Sequence, residues 1–120
     1  MTNKRTNPEF LNGVPELLVL QLLANRPMYG YQIVQAIKDG SEGRFEFGEG
    51  CIYPILHRLQ AQEDLTSKRE SVDNRTRVVY YLTSHGKKRL KSITHNWQEV
   101  VATVQAILQG GLPHASSEVA

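Results

Sequence analysis

The strongest constraint on the fold lies in the last third of the chain. Leu90, Ile93, Trp97, Val100, Val104 and Ile107 recur in alternating steps of three and four, and Val101 and Leu108 widen the stripe. Thr83 or Ser84 suits the N-cap of this segment, and Gly110-Gly111 ends it near Gln109. The spacing predicts one helix of more than about 25 residues, with a seam meant for another helix. A chain of 120 residues makes one domain with one core. Much of so long a helix would project beyond that core, so the cover it calls for is the same surface of a second copy. A homodimer joined through a dimerisation helix over 83–109 is the first expectation.

Ahead of that helix the pattern is that of a small mixed domain over 13–82. Pro15 opens a helix running to Asn25, where a missing N–H costs nothing. Its leucines and valine are apolar nearly all round, so the domain core or a partner chain must cover every side, with Leu17 and Leu20 assigned to the partner. A second helix follows Gly30, with Ile33, Val34 and Ile37 at helical spacing, and ends at the turn-rich Asp39–Gly43. A third, FGEGCIYPILHRL at 47–59, buries Ile52, Ile55, Leu56 and Leu59 on one stripe. LTSKRE (65–70) and TRVVYYL (76–82) read as a β-hairpin turning through Val72–Arg75. Residues 1–12, with Lys4 and Arg5, are expected to be a flexible arm, and 110–120 a disordered tail.

Several function classes are excluded at this level. The longest greasy run, LLVLQLLA at 17–24, is far short of the about 20 residues that a membrane span requires. MTNKRTNPEF has no basic-then-apolar signal character, and a lone Cys51 fits a reducing cytoplasm. No Cys and His fall at metal-ligand spacing, and no cofactor is implied. Nor does any nucleophile–base pair, carboxylate pair or phosphate-cradling glycine loop stand out, so an enzyme is not expected. Net charge is only +2, but KRESVDNRTR at the hairpin tip carries four cations against two anions.

Three compact helices, a hairpin and a long helix make the order of a winged helix-turn-helix, a mainly helical α+β fold. The residues are more specific still. Tyr-Gly-Tyr at 29–31, Gly-x-x-Tyr-Pro at 50–54 and YYLT-x-x-G at 80–86 together resemble the PadR family of bacterial transcription regulators. The resemblance spans roughly residues 14–108, and one helix after the wing is similar to the short subgroup. Gly48 and Cys51 depart from the family, which often has Ser or Thr and Thr there.

The resemblance implies a cytoplasmic, nucleoid-associated homodimeric repressor on a pseudo-palindromic DNA operator, with half-sites about 34 Å apart. Its DNA-facing residues would be Tyr31, then Gly50, Cys51, Tyr53, Pro54, His57 and Arg58 on or near the third helix. Lys68, Arg69, Asn74, Arg75 and Arg77 would follow on the wing. Arg58 would meet a phosphate or guanine O6/N7, and the wing cations would meet phosphates or the minor groove. Gly48 and Gly50 would let the helix start approach a phosphate. In short members an effector lies between the dimer's helices near an aromatic residue, and Trp97 matches that position, which implies a small aromatic or hydrophobic ligand. Trp97 as interface core accounts for the pattern equally well. The competing class is a winged-helix adaptor that binds protein and not DNA.

Overall fold

The computed structural model describes residues 13–111, so the arm and most of the tail lie outside the described residues. Elements run in the order α1 (Val14–Asn25), β1 (Met28–Tyr29), α2 (Gly30–Gly40), α3 (Glu49–Ala61), β2 (Leu65–Val72), β3 (Arg75–Leu82) and α4 (Ser84–Leu108). The chain divides after Leu90 into two compact units, and the second holds the greater part of α4. A mainly helical fold with a small antiparallel sheet and a long last helix is therefore what the sequence makes. No helix among the described residues is long and apolar enough to cross a membrane.

In the first unit the core is built from one stripe of each helix and the root of the sheet. Val19, Leu20, Ile33, Ile52, Leu56 and Leu59 are fully buried, with Leu23, Ile37, Met28, Leu65 and Tyr80 close behind. Two sequence expectations change here. Leu20 has no exposed surface, so it belongs to its own chain's core and is unavailable to a partner. Leu17, Leu18 and Leu22 are half-buried, which leaves α1 partly open on the side away from Leu20. Ile55, expected in the buried stripe of α3, is also only half-buried.

Helix α3 starts two residues later than expected. Phe47 stacks on Phe45 with centroids 5.8 Å apart, and Gly48 is the extended N-cap. Pro54 sits inside the helix without breaking it. The bond it cannot donate would have gone to the carbonyl of Gly50, one turn back, where exposure lets water serve instead. Burial of Ile52, Leu56 and Leu59 holds the helix in register across the gap.

The sheet has the order β1-β3-β2, all antiparallel. Asp73 and Asn74 form the tip with φ of 52° and 62°, the positive pair of a two-residue turn that suits strand twist. The register runs from Leu65↔Leu82 to Val72↔Arg75, and β1 adds Met28↔Tyr80 and Tyr29↔Val79. Directly paired residues share a face, so Tyr29, Lys68, Glu70, Arg75, Arg77 and Tyr81 stand on one side of the wing. Arg69 lies on the other, beside Met28, Tyr80 and Val78.

Two knots of polar contacts fasten the helices. Asp64, between α3 and β2, is wholly buried, and its carbonyl accepts from Thr83 N–H at 3.1 Å and Thr83 Oγ1 at 3.0 Å. Thr83 Oγ1 in turn accepts from Gly86 N–H at 2.9 Å, which identifies Thr83 as the N-cap of α4. The Asp64 carboxylate lies 2.7 Å from His85 Nδ1 and 3.4 Å from Arg89 Nε. Glu16 of α1 forms the second knot, with one carboxylate oxygen on Arg58 of α3 and the other on Arg89 of α4 at 2.9 Å.

Each knot makes a prediction. A Cβ on Gly86 would fall 2.2 Å from the Asp64 carbonyl oxygen, a backbone atom that cannot step aside. Gly86→Ala should therefore cost about 2–4 kcal/mol in urea unfolding, against a gain of about 0.5–1 kcal/mol for an unhindered helical Gly→Ala exchange. Glu16→Gln removes the charge shared by two arginines that are themselves 48% and 39% exposed. Solvent screening of those arginines limits the loss to about 1–2 kcal/mol, measured the same way and shrinking in high salt.

Candidate nucleic-acid interface

The outer face of α3 is open. Gly50, Cys51, Pro54, His57 and Arg58 are exposed, and a Cβ placed on Gly48 or Gly50 would meet no atom within 4 Å. Neither glycine is required by packing, and Gly48 has an ordinary φ of −79°. The first turn of α3 thus presents an unhindered Gly50 beside the exposed carboxylate of Glu49.

Tyr53 occupies a different place from its neighbours. It is half-buried, and a Cβ on Gly30 would stand 2.4 Å from its hydroxyl oxygen, so the phenol fills the space that the glycine leaves at the start of α2. Its ring also tilts toward His57 at 6.3 Å. Tyr-Gly-Tyr and Gly-x-x-Tyr-Pro are thus two halves of one helix–helix contact. Tyr31, the second tyrosine of the first motif, is 52% exposed on the same corner of the domain.

Cys51 lies three residues into α3, where the helix dipole favours a thiolate. Desolvation by the atoms around it nevertheless raises its pKa above the ordinary thiol value, so less thiolate is present at neutral pH than in a free cysteine.

Arg58 reaches sideways to α1 and spends an Nη2 donor on Glu16. Charged partners of this kind were missed in the sequence. The legible signal was Glu16 itself, the one ionised residue in VPELLVLQLLAN, because a charge in an otherwise apolar helix marks a paired position. Asp64, His85 and Arg89 gave no such signal.

The wing carries its cations in two ways. Arg69, Asn74 and Arg75 are exposed, with Asn74 in the turn. Lys68 and Arg77 rest on rings, Lys68 Nζ 4.9 Å from the Tyr81 centroid and the Arg77 guanidinium 4.6 Å from that of Tyr29. The Tyr81 hydroxyl donates to Glu70, and that bond is the main cause of its raised pKa.

In the second unit the α4 stripe is open. Trp97, Val100, Val104, Ile107 and Leu108 are exposed, while Val101 is half-buried; Leu90, at the end of the first unit, and Ile93 are half-buried too. A shallow hollow of about 190 Å³ runs beside Trp97, Gln98, Val101, Ala102 and Gln105. That is smaller than the about 300–1,000 Å³ of ordinary small-molecule sites, and one helix supplies every wall. Among the described residues no His, Cys, Asp and Glu gather into a group able to hold a metal ion.

Known proteins place this arrangement. The model of the PadR-like family of transcriptional regulators matches residues 19–92. The transcriptional regulator Rv3488 of Mycobacterium tuberculosis is 30% identical over 108 residues, covering 90% of this chain and 94% of that one. A PadR-like transcriptional regulator from Bacillus cereus is similar in structure, with a TM-score of 0.76 at 27% identity over 85% of this chain and 98% of its own. A PadR family transcription regulator from Clostridium difficile gives 0.70 at 25% identity, over 80% and 99%. The matched span runs from the core of α1 through the wing into α4, and the chain belongs to the PadR-like family of transcriptional regulators.

Proposed function

We propose that the protein is a homodimeric, DNA-binding repressor that sets α3 and the wing of each protomer on one half of a pseudo-palindromic operator. It works in the cytoplasm, on the nucleoid. The observation that carries this reading is the open space around Gly48 and Gly50 at the start of α3. Gly50 costs helix stability, and neither it nor the N-cap Gly48 is needed by packing inside the chain, so their use is external. A DNA phosphate is the partner that profits from the N–H groups and positive helix-dipole end there, with the exposed Glu49 carboxylate turned away from it. Exposed Lys68, Arg69 and Arg75 beside that helix supply the charge that phosphates require.

The α4 stripe is the dimer seam. Its 3-4 repeat continues over six positions from Leu90 to Ile107, and large apolar residues stay exposed along it in the single chain. Trp97 stands at one edge of a hollow that a second helix would close into a cavity of useful size for a flat aromatic or hydrophobic effector. Effector binding at that place would favour release from the operator.

Three outcomes test this reading. In gel-shift titrations with the DNA flanking its own gene, log K should fall against log salt with a slope of several units. A protein that binds none of this DNA at low salt is an adaptor instead. Gly50→Ala should raise stability by about 0.5–1 kcal/mol while weakening DNA binding, because the added methyl meets nothing in the chain and stands in the path of the phosphate. A stabilised variant with undiminished affinity removes Gly50 from the interface. Trp97→Ala should leave operator binding intact in a dimer and abolish the effector response, whereas a monomeric Trp97→Ala makes Trp97 core of the seam only.

A further inference from the structure

Arg58 and Arg77 are both held in place, by opposite means. Arg58 is held through its donors, which meet the carboxylate of Glu16. Arg77 is held through its face, 4.6 Å above the ring of Tyr29. A carboxylate consumes guanidinium N–H groups, while a ring takes the flat of the cation and leaves the in-plane donors unspent.

Around Arg77 the natural acceptor is diverted. Glu70 is its direct cross-strand neighbour on the same face, yet no ion pair joins them, and the Glu70 carboxylate receives the Tyr81 hydroxyl. Arg77 Nε is buried without a hydrogen bond, and no acceptor among the described residues engages the guanidinium. Nε itself is closed off, so the unengaged Nη groups are what this stacked, half-buried arginine offers to a partner from outside. Holding it beforehand also reduces the side-chain entropy lost when that partner arrives. Arg69 and Arg75, exposed and without a ring beneath them, lack this preparation.

We propose that Tyr29 is a positioning residue for DNA binding, whose ring presents the Arg77 guanidinium to a backbone phosphate of duplex DNA. The proposal rests on the DNA-binding reading above. It gives the ring of Tyr29 a role beside that of its backbone, which pairs with Val79 and caps α2 through the Gln32 side chain at 3.1 Å.

The test is a double-mutant cycle on a labelled mixed-sequence duplex of about 30 base pairs, titrated at several salt concentrations. Arg77→Ala should weaken binding roughly five- to tenfold per protomer at 0.1 M salt and lower the salt slope by about one per protomer. Tyr29→Leu should reproduce most of that loss, and the pair of substitutions should cost no more than Arg77→Ala alone. Tyr29→Phe, which keeps the ring, should bind like the wild type. A second measurement does not depend on how Tyr29→Leu folds. In the wild type, the Arg77 Nε–H proton resonance should be shifted upfield by the ring current and stay shifted when DNA is added.

Additive losses, a normal salt slope in folded Tyr29→Leu, or an upfield shift that disappears on DNA binding would overturn the role of Tyr29 while leaving DNA binding in place. A wild type that binds no duplex at low salt overturns both.

Discussion

The arrangement depends first on the carbonyl and carboxylate of one residue, Asp64, closed off from solvent between α3 and β2. A buried carboxylate is costly unless its charge is compensated; here His85 Nδ1 lies 2.7 Å from Oδ1, while Oδ2 has no hydrogen bond and meets Arg89 Nε only as an ion pair at 3.4 Å. The carbonyl of the same residue receives both the N–H and the hydroxyl of Thr83. The strand-to-helix corner that launches α4 is thereby stitched to the corner where α3 gives way to the wing. Glu63, with a φ of 66°, makes the sharp exit from α3 that turns Asp64 inward. Chain segments about twenty residues apart in sequence share a few ångströms of space through Asp64 and the neighbouring Glu63 carbonyl, which lies 2.8 Å from Thr83 Oγ1.

Glu16 extends the same principle to the opposite side of α3. Its carboxylate joins three helices, with α1 giving the acid and α3 and α4 the bases. Both knots converge on Arg89, which touches Glu16 and Asp64 together. Any change in the first turns of α4 is therefore felt by a side chain of α3 through one shared acid. Lys68 and Arg77 of the wing are organised differently, on tyrosine rings, which leave their N–H groups free of carboxylates.

Most of the architecture was legible because it follows from period and punctuation. The 3-4 repeat of α4, the stripe of Ile52, Leu56 and Leu59, and the β-branched run of β3 each announce one kind of element. What could not be read had no period. β1 is two residues long, too short for any alternation, and only its pairings Met28↔Tyr80 and Tyr29↔Val79 reveal it. The later start of α3 reflects Phe45–Phe47 stacking, a contact that no spacing rule contains. Leu20 and Leu17 lie on one apolar helix, and only the packed core distinguishes the buried leucine from the half-open one. On the candidate interface, polarity identified which residues of α3 face out, but not that Arg58 would turn toward Glu16 or Tyr53 toward Gly30.

That last contact ties two distant positions into one unit of inheritance. The phenol of Tyr53 occupies the volume that any side chain at position 30 would need. A methyl group at 30 is tolerable only in a chain that has already given up the ring at 53, and a chain without the ring has a void there instead. Neither site can drift alone without passing through a strained or a hollow intermediate. Two short motifs that sit more than twenty residues apart should therefore change together or not at all.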